Sequence, residues 1–288
     1  MQRNIQAVSD MFKRILLLVV FVLSMIIVEA QIVAKRGEAF NTDSLRAEYD
    51  SRPWFSLYKD NYFVFGAPVS REPTVKNTNV KFQISISQRV TKSTLPWNTY
   101  LYLFYSQKCF WNILERSMPM VDLNFNPGIG IAKPLFVKNR YIGKLMMLIE
   151  HESNGKDSIW SRSWNKVSLG ANIVIDPTFS IHGKAWIPII DSQNNKDILD
   201  YCGYYQMGMS FLSRNHRYRA SIMLTKRASG FFNYNTSIEF GFRPSADFTP
   251  YLFLQFYNGY GEGLLDYNVH HSYLRAGIVL KPEFFSDY

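Results

Sequence analysis

Period-two alternation, repeated about a dozen times, most narrows what this chain can fold into. "VKFQISIS" (80–87) sets Val80, Phe82, Ile84 and Ile86 against Lys81, Gln83, Ser85 and Ser87. "TSIEFGFR" (236–243) sets Ile238, Phe240 and Phe242 against Ser237, Glu239, Gly241 and Arg243. "SIHGKAWIPI" (180–189) sets Ile181, Ala185 and Ile187 against His182, Lys184 and Trp186. Successive side chains of a strand point to opposite faces, so each stretch is a strand with one apolar and one polar face. Segments of this kind run over 61–66, 79–91, 98–111, 121–133, 140–152, 162–175, 178–190, 200–213, 216–227, 233–243, 248–258 and 268–280. Alternation alone allows a sandwich, a lipocalin-like barrel or a membrane barrel. A lipid-carrying barrel needs an apolar interior, whereas one row here carries Lys81, Gln83, Lys184, Glu239 and Arg243. Most segments approach the ~9–11 residues of a tilted membrane strand. Short turns such as "DPT" (176–178) and "SRNH" (213–216) alternate with longer loops such as "DSQNNKD" (191–197). The expected fold is all-β, a transmembrane antiparallel barrel of about 12 strands. Closure follows because hydrocarbon offers no partner to an open sheet edge.

Composition agrees. Aromatics make up 16% of the residues, with 18 Tyr, 22 Phe and 6 Trp, as suits a barrel girdled by aromatic rings at its two membrane interfaces. Beyond the N-terminus there is no apolar run of the ~18 residues a spanning helix needs. At the N-terminus Lys13 and Arg14 precede an apolar run from Ile15 to Val28, and Val28-Glu29-Ala30 offers a cleavage site, the pattern of an export signal. Met11 is an equally good start for that signal. The predicted organisation is a signal peptide at 1–30, a polar extramembrane segment at 31–60 and the barrel at 61–288. Cys109 and Cys202 allow one disulfide but no metal cluster, and two unpaired thiols are expected. The net charge of +9 comes without a basic run or a nucleic-acid motif, so anionic headgroups of outer-membrane lipids are the expected partners and nucleic acid is not.

One strand breaks the pattern. In "IEHESNGKDSIWSRSWNKVSLG" (149–170) the apolar row Leu145, Met147, Ile149 continues into His151 and Ser153, while Glu150 and Glu152 fall on the other face. In the next strand Asn165 shares the row of Val167, Leu169, Ala171 and Ile173. Three polar side chains on a lipid-facing row are costly unless they bond one another, lie at the interface or serve a function. A histidine beside a serine can act as its general base, and an amide oxygen on the other ring nitrogen can fix the tautomer. A neutral amide suits that place, where a buried carboxylate would cost more. The backbone N–H of Gly155 is a candidate oxyanion donor. On spacing alone His-x-Ser also fits an interfacial histidine and a turn serine. No G-x-S-x-G elbow is present.

The string "HESNGKDSIWSRSWN" (151–165) closely resembles the active-site signature of the outer-membrane phospholipase A family. "VKFQISIS" (80–87), "YSQKCFWNI" (105–113), "SMPMVDLNFNP" (117–127), "YCGYYQMGMS" (201–210) and "NGYGEGLLDYN" (258–268) resemble other segments of that family in the same order, over roughly residues 53–280. The resemblance implies a barrel in the bacterial outer membrane that hydrolyses phospholipid acyl esters, requires Ca2+ and is active as a homodimer. It implies Ser153 as nucleophile, His151 as general base, Asn165 as orienter and Gly155 as oxyanion donor. It further implies calcium on the carbonyl of Lys156, on the carbonyl and hydroxyl of Ser161 and on the hydroxyl of Ser117 of the partner subunit. Gln107 shares the outward row of Leu103 and Tyr105. It reads either as an interfacial residue reaching headgroups or, as the family implies, as a bond across the dimer. This chain departs from the family pattern at Glu150, at Asp157, displaced by one position, and at Met118 and Met120 beside Ser117. The rival expectation is a porin-like barrel that keeps the fold without the chemistry.

Overall fold

The computed structural model describes residues 42–93, 95–137, 140–190, 193–228, 230–245 and 248–282. The expected signal peptide therefore lies outside the described residues. The chain divides into two compact units. Among the described residues, 48–135 with 142–282 carry the sheet, and 42–47 with 136–137 and 140–141 belong to the other. A helix α1 (Thr42–Ser51) precedes a short strand β1 (Phe55–Leu57). The buried Arg89 closes the end of α1 by donating to the carbonyl oxygens of Tyr49 (2.7 Å), Asp50 (2.8 Å) and Arg52 (3.0 Å). Last-turn carbonyls lack intrahelical partners, and a cation at that end also complements the helix dipole.

Twelve further strands follow: β2 (Asn61–Pro68), β3 (Asn79–Arg89), β4 (Tyr100–Trp111), β5 (Met120–Val137), β6 (Arg140–Ser153) and β7 (Ser163–Asp176). The second half comprises β8 (Phe179–Ile189), β9 (Tyr205–Leu212), β10 (Tyr218–Lys226), β11 (Tyr234–Phe242), β12 (Tyr251–Gly259) and β13 (His271–Leu280). Each lies beside the next, and β13 pairs antiparallel with β2, so the twelve close on themselves. All twelve expected strands are present. Two details differ. The segment before residue 61 is not wholly outside the sheet, because β1 pairs with Gln88, Ser87 and Ile86 of β3. The segment 200–213 is strand only from Tyr205. It begins as a one-turn helix α2 (Ile198–Cys202), ended by Gly203 at φ +76°.

Burial is inverted relative to a water-soluble protein. Phe63, Ile84, Leu103, Ile149, Leu169 and Met209 are exposed on alternate strand positions, while Lys81, Glu150, Lys184, Glu239 and Arg275 are buried within. A continuous exposed apolar belt is what hydrocarbon requires on the outside of a barrel. Each of these five interior charges has an ion partner. Lys184 donates to Glu150 at 2.8 Å, and Ser168 donates to the second oxygen of that carboxylate. Lys166 donates to Glu152 at 2.8 Å. Cys109 and Cys202 are free thiols, as expected. In alternating hairpins the connections 69–78, 112–119, 154–162, 190–204, 227–233 and 260–270 share one end of the barrel. The 260–270 connection turns inward, and its Glu262 meets Lys81 and Arg275 inside.

Candidate active site

β6 and β7 pair in a register that sets His151 opposite Asn165 and Ser153 opposite Ser163. Their side chains on the outward face therefore share the row of Ile149, which is 57% exposed. His151 Nδ1 lies 2.8 Å from Asn165 Oδ1. An amide oxygen only accepts, so the proton of this bond is on Nδ1 and the lone pair of the ring is left on Nε2. From inside the barrel Asn126 Nδ2 donates to the His151 carbonyl at 2.8 Å and holds the strand at that point. Ser153 is the last residue of β6, two positions along the face from His151. Its hydroxyl is not hydrogen-bonded to His151 in this structure. The histidine and the asparagine are thus joined, and the serine is aligned with them.

After Ser153 the chain leaves the sheet for nine residues (154–162) and returns at Ser163. Gly155 has φ +65°, the left-handed region that favours glycine. A Cβ placed there would lie 2.9 Å from the Phe125 ring. Two residues of the 190–204 connection brace this turn. The buried Asn195 exchanges two bonds with the Ser163 backbone (3.0 and 3.3 Å), and Asn194 donates to the Ser158 carbonyl at 2.7 Å. A cavity of about 520 Å³ opens beside the turn, lined by Gly155, Lys156, Asp157, Trp160 and Leu265.

The oxygens offered by the turn are backbone carbonyls and hydroxyls. Among the described residues no group of three or more His, Cys, Asp or Glu could hold a metal. The Lys156 carbonyl accepts no hydrogen bond among the described residues, and the Ser161 carbonyl accepts one, from Arg162 Nη1 at 2.9 Å. Ser117 lies exposed in the 112–119 connection, at the same end of the barrel. Gln107, on β4, accepts from the Tyr105 hydroxyl at 3.0 Å and donates to Cys109 Sγ at 3.6 Å. Of the departures, Glu150 points into the barrel and is paired there, so it does not alter the oxygens of the turn.

The family described as Phospholipase A1 matches residues 43–280. This chain belongs to that family. Phospholipase A1 of Escherichia coli K12 is 28% identical over 216 residues, 73% of this chain and 72% of the relative. Phospholipase A1 of Salmonella typhimurium LT2 is 29% identical over the same length and the same shares. Among solved structures, the outer membrane phospholipase A of Escherichia coli superposes with a TM-score of 0.70 at 22% identity, over 80% of this chain and 99% of that one. The outer membrane phospholipase dimer of Salmonella typhi with bound calcium gives a TM-score of 0.69 at 23% identity, over 78% and 91%. The family's expected twelve-stranded barrel is the one found here. Asn126, Asn154, Asn194, Asn195 and Arg162, which surround the site, were not singled out from the sequence. The only sequence signal for Asn154 is its place directly after Ser153.

Proposed function

We propose that this chain hydrolyses acyl esters of phospholipids at the lipid-facing surface of a barrel in the bacterial outer membrane. The observation that carries this reading is the His151–Asn165 pair, polar and joined, on a row that otherwise faces hydrocarbon, with Ser153 next along it. Ser153 Oγ attacks the acyl carbonyl as His151 Nε2 takes its proton. Asn165 keeps the ring in the required tautomer and orientation. The backbone N–H of Gly155 donates to the oxyanion. His151 then returns the proton to the departing lysophospholipid oxygen. Water, deprotonated by the same ring, releases the fatty acid and restores Ser153.

The oxygens of the turn fit a hard cation: the carbonyl of Lys156 and the carbonyl and hydroxyl of Ser161 suit calcium rather than a thiolate- or imidazole-loving metal. Bound there, calcium would supply positive charge beside the developing oxyanion. Ser117 of the partner subunit would complete the ligand set, so the site is whole only in a homodimer, with Gln107 bonding across the seam. Such an arrangement keeps the monomer from attacking its own membrane.

The deciding experiment is fatty-acid release from phospholipid micelles by the detergent-folded protein, with calcium and then with excess chelator. Release that chelator abolishes and calcium restores is the expected result. No release from a folded, dimeric barrel would overturn the reading, and ion conductance in planar bilayers would then test it as a pore.

A second expectation concerns Gly155→Ala. The left-handed backbone and the Phe125 ring together forbid a methyl group without movement of the turn. Loss of one oxyanion donor costs about 10²–10³ in kcat. The variant should lose turnover on that scale and keep its barrel, which a denaturant titration would check. Unchanged kcat would remove Gly155 from the site.

A further inference from the structure

We propose that Asn154 is the positioning residue of this site, the side chain that holds the 155–161 turn in the conformation that catalysis uses. The inference rests on the hydrolytic reading above and deepens it. Asn154 is only 2% exposed, although it opens a surface turn at the end of the barrel. Its carboxamide is used at both ends. Oδ1 accepts from the backbone N–H of Lys156 (3.3 Å) and of Arg162 (3.0 Å), and Nδ2 donates to the Trp160 carbonyl (2.9 Å). Its own backbone N–H donates to the Arg162 carbonyl at 3.0 Å. One side chain thus ties the start, the far side and the exit of the turn together. The residues it encloses are the ones the mechanism needs: Gly155 with its N–H, Lys156 with its carbonyl, and Ser161 with two oxygens.

The turn needs such a tie. Ser158 at φ +50° occupies a region that a residue with a side chain does not hold without support, whereas Gly155 at φ +65° adopts it freely. Arg162 adds a second clasp, donating from Nη1 to the carbonyls of Ile159 (2.8 Å) and Ser161 (2.9 Å). The chemistry of the residue is specific. An aspartate can accept the two N–H groups but has no donor for Trp160, and an alanine takes this partner away from all three backbone groups. Every hydrogen bond of Asn154 named here falls within 154–162. Its loss should therefore loosen the turn without unpairing strands.

Asn154→Ala and Asn154→Asp, made in the full-length detergent-folded protein, test this. The measurements are calcium affinity by titration calorimetry, kcat and KM taken separately, and the denaturant midpoint of the barrel. For Asn154→Ala the expected result is calcium binding weakened about tenfold or more, the equivalent of one to two lost hydrogen bonds, with kcat down about 10²-fold, on the scale of one oxyanion donor. KM and the unfolding midpoint should stay near the parent values. Asn154→Asp, which keeps both acceptor contacts, should recover part of kcat. Parent-like calcium affinity and kcat in Asn154→Ala would overturn the inference, as would a midpoint that falls in step with activity. If the parent itself neither binds calcium nor releases fatty acid, the hydrolytic reading fails instead, so the two failures are distinguishable.

Discussion

Ser153→Ala is expected to lower fatty-acid release by at least about 10³-fold, because a triad without its nucleophile keeps only the catalysis supplied by binding and the oxyanion hole. The barrel should fold as before. Ser153 ends β6, its pairing with Ser163 is made through the backbone, and its hydroxyl is not bonded to His151 in the structure. Nothing in the packing depends on that oxygen. His151→Ala should fall to a similar floor, and the double variant no lower, since residues that act as a unit are not additive. Turnover of phospholipid micelles under saturating calcium is the measurement. Two outcomes would defeat the assignment: substantial turnover in Ser153→Ala, or a double variant that multiplies the two single losses.

Much of this site is legible along the chain because a strand displays its faces in sequence. Parity alone puts His151, Ser153 and Asn165 on the lipid side and Glu150 and Glu152 inside. It does not give register. That His151 meets Asn165, and not a residue two positions away, depends on how the nine residues 154–162 are taken up by the turn. The conformation of the turn itself depends on Asn154, Asn194 and Asn195, side chains that act by reaching backbone groups brought close only in the folded state. Asparagine in a loop has too many ordinary uses for such roles to be read in advance. The strands were legible for the same reason as the faces. The exceptions are short or local. β1 has three residues, too few to show a period, and α2 lies in "ILDYCGYY", where tyrosines favour strand until Gly203 turns the chain. The fate of the 260–270 connection was also hidden. Its glycines and acids suit an outward loop, and the inward fold is explained only by what waits inside: the cations Lys81 and Arg275, the Asp122 carboxylate and the apolar cluster that takes Leu264 and Tyr267.

Glu262→Gln is therefore expected to have the largest effect on stability of any single change outside the strands. Glu262 is 3% exposed, accepts from Arg275 at 2.6 and 3.3 Å, and accepts from Lys81 at 3.0 Å. Removing its charge leaves two buried cations with weaker partners, Gln255 for Lys81 and Asn79 for Arg275. Breaking one side of a buried ion pair typically costs about 3–5 kcal/mol. Burial by itself raises the pKa of the Glu262 carboxyl, but Arg275 and then Lys81 outweigh it and hold the group down at about 2, from an ordinary 4.5. The sign follows directly. The native state favours the carboxylate more than the unfolded chain does, so this contribution is complete above pH ~4.5 and is lost as pH falls from there through about 2. The difference between parent and variant isolates Glu262. Denaturant unfolding from detergent micelles at pH 7 should show the full gap, and repeats at successively lower pH should show it close. A gap that is absent at pH 7, or that does not narrow with acid, would mean that Lys81 and Arg275 are satisfied without this carboxylate. The effect should reach the site as well. The connection that Glu262 anchors is also held by Asp122, which accepts the backbone N–H of Leu264 and Leu265, and Leu265 forms one wall of the cavity beside Gly155. Freed of its ion pair, that wall should give way before the barrel does, and phospholipid turnover should fall at denaturant concentrations where the strands are still intact.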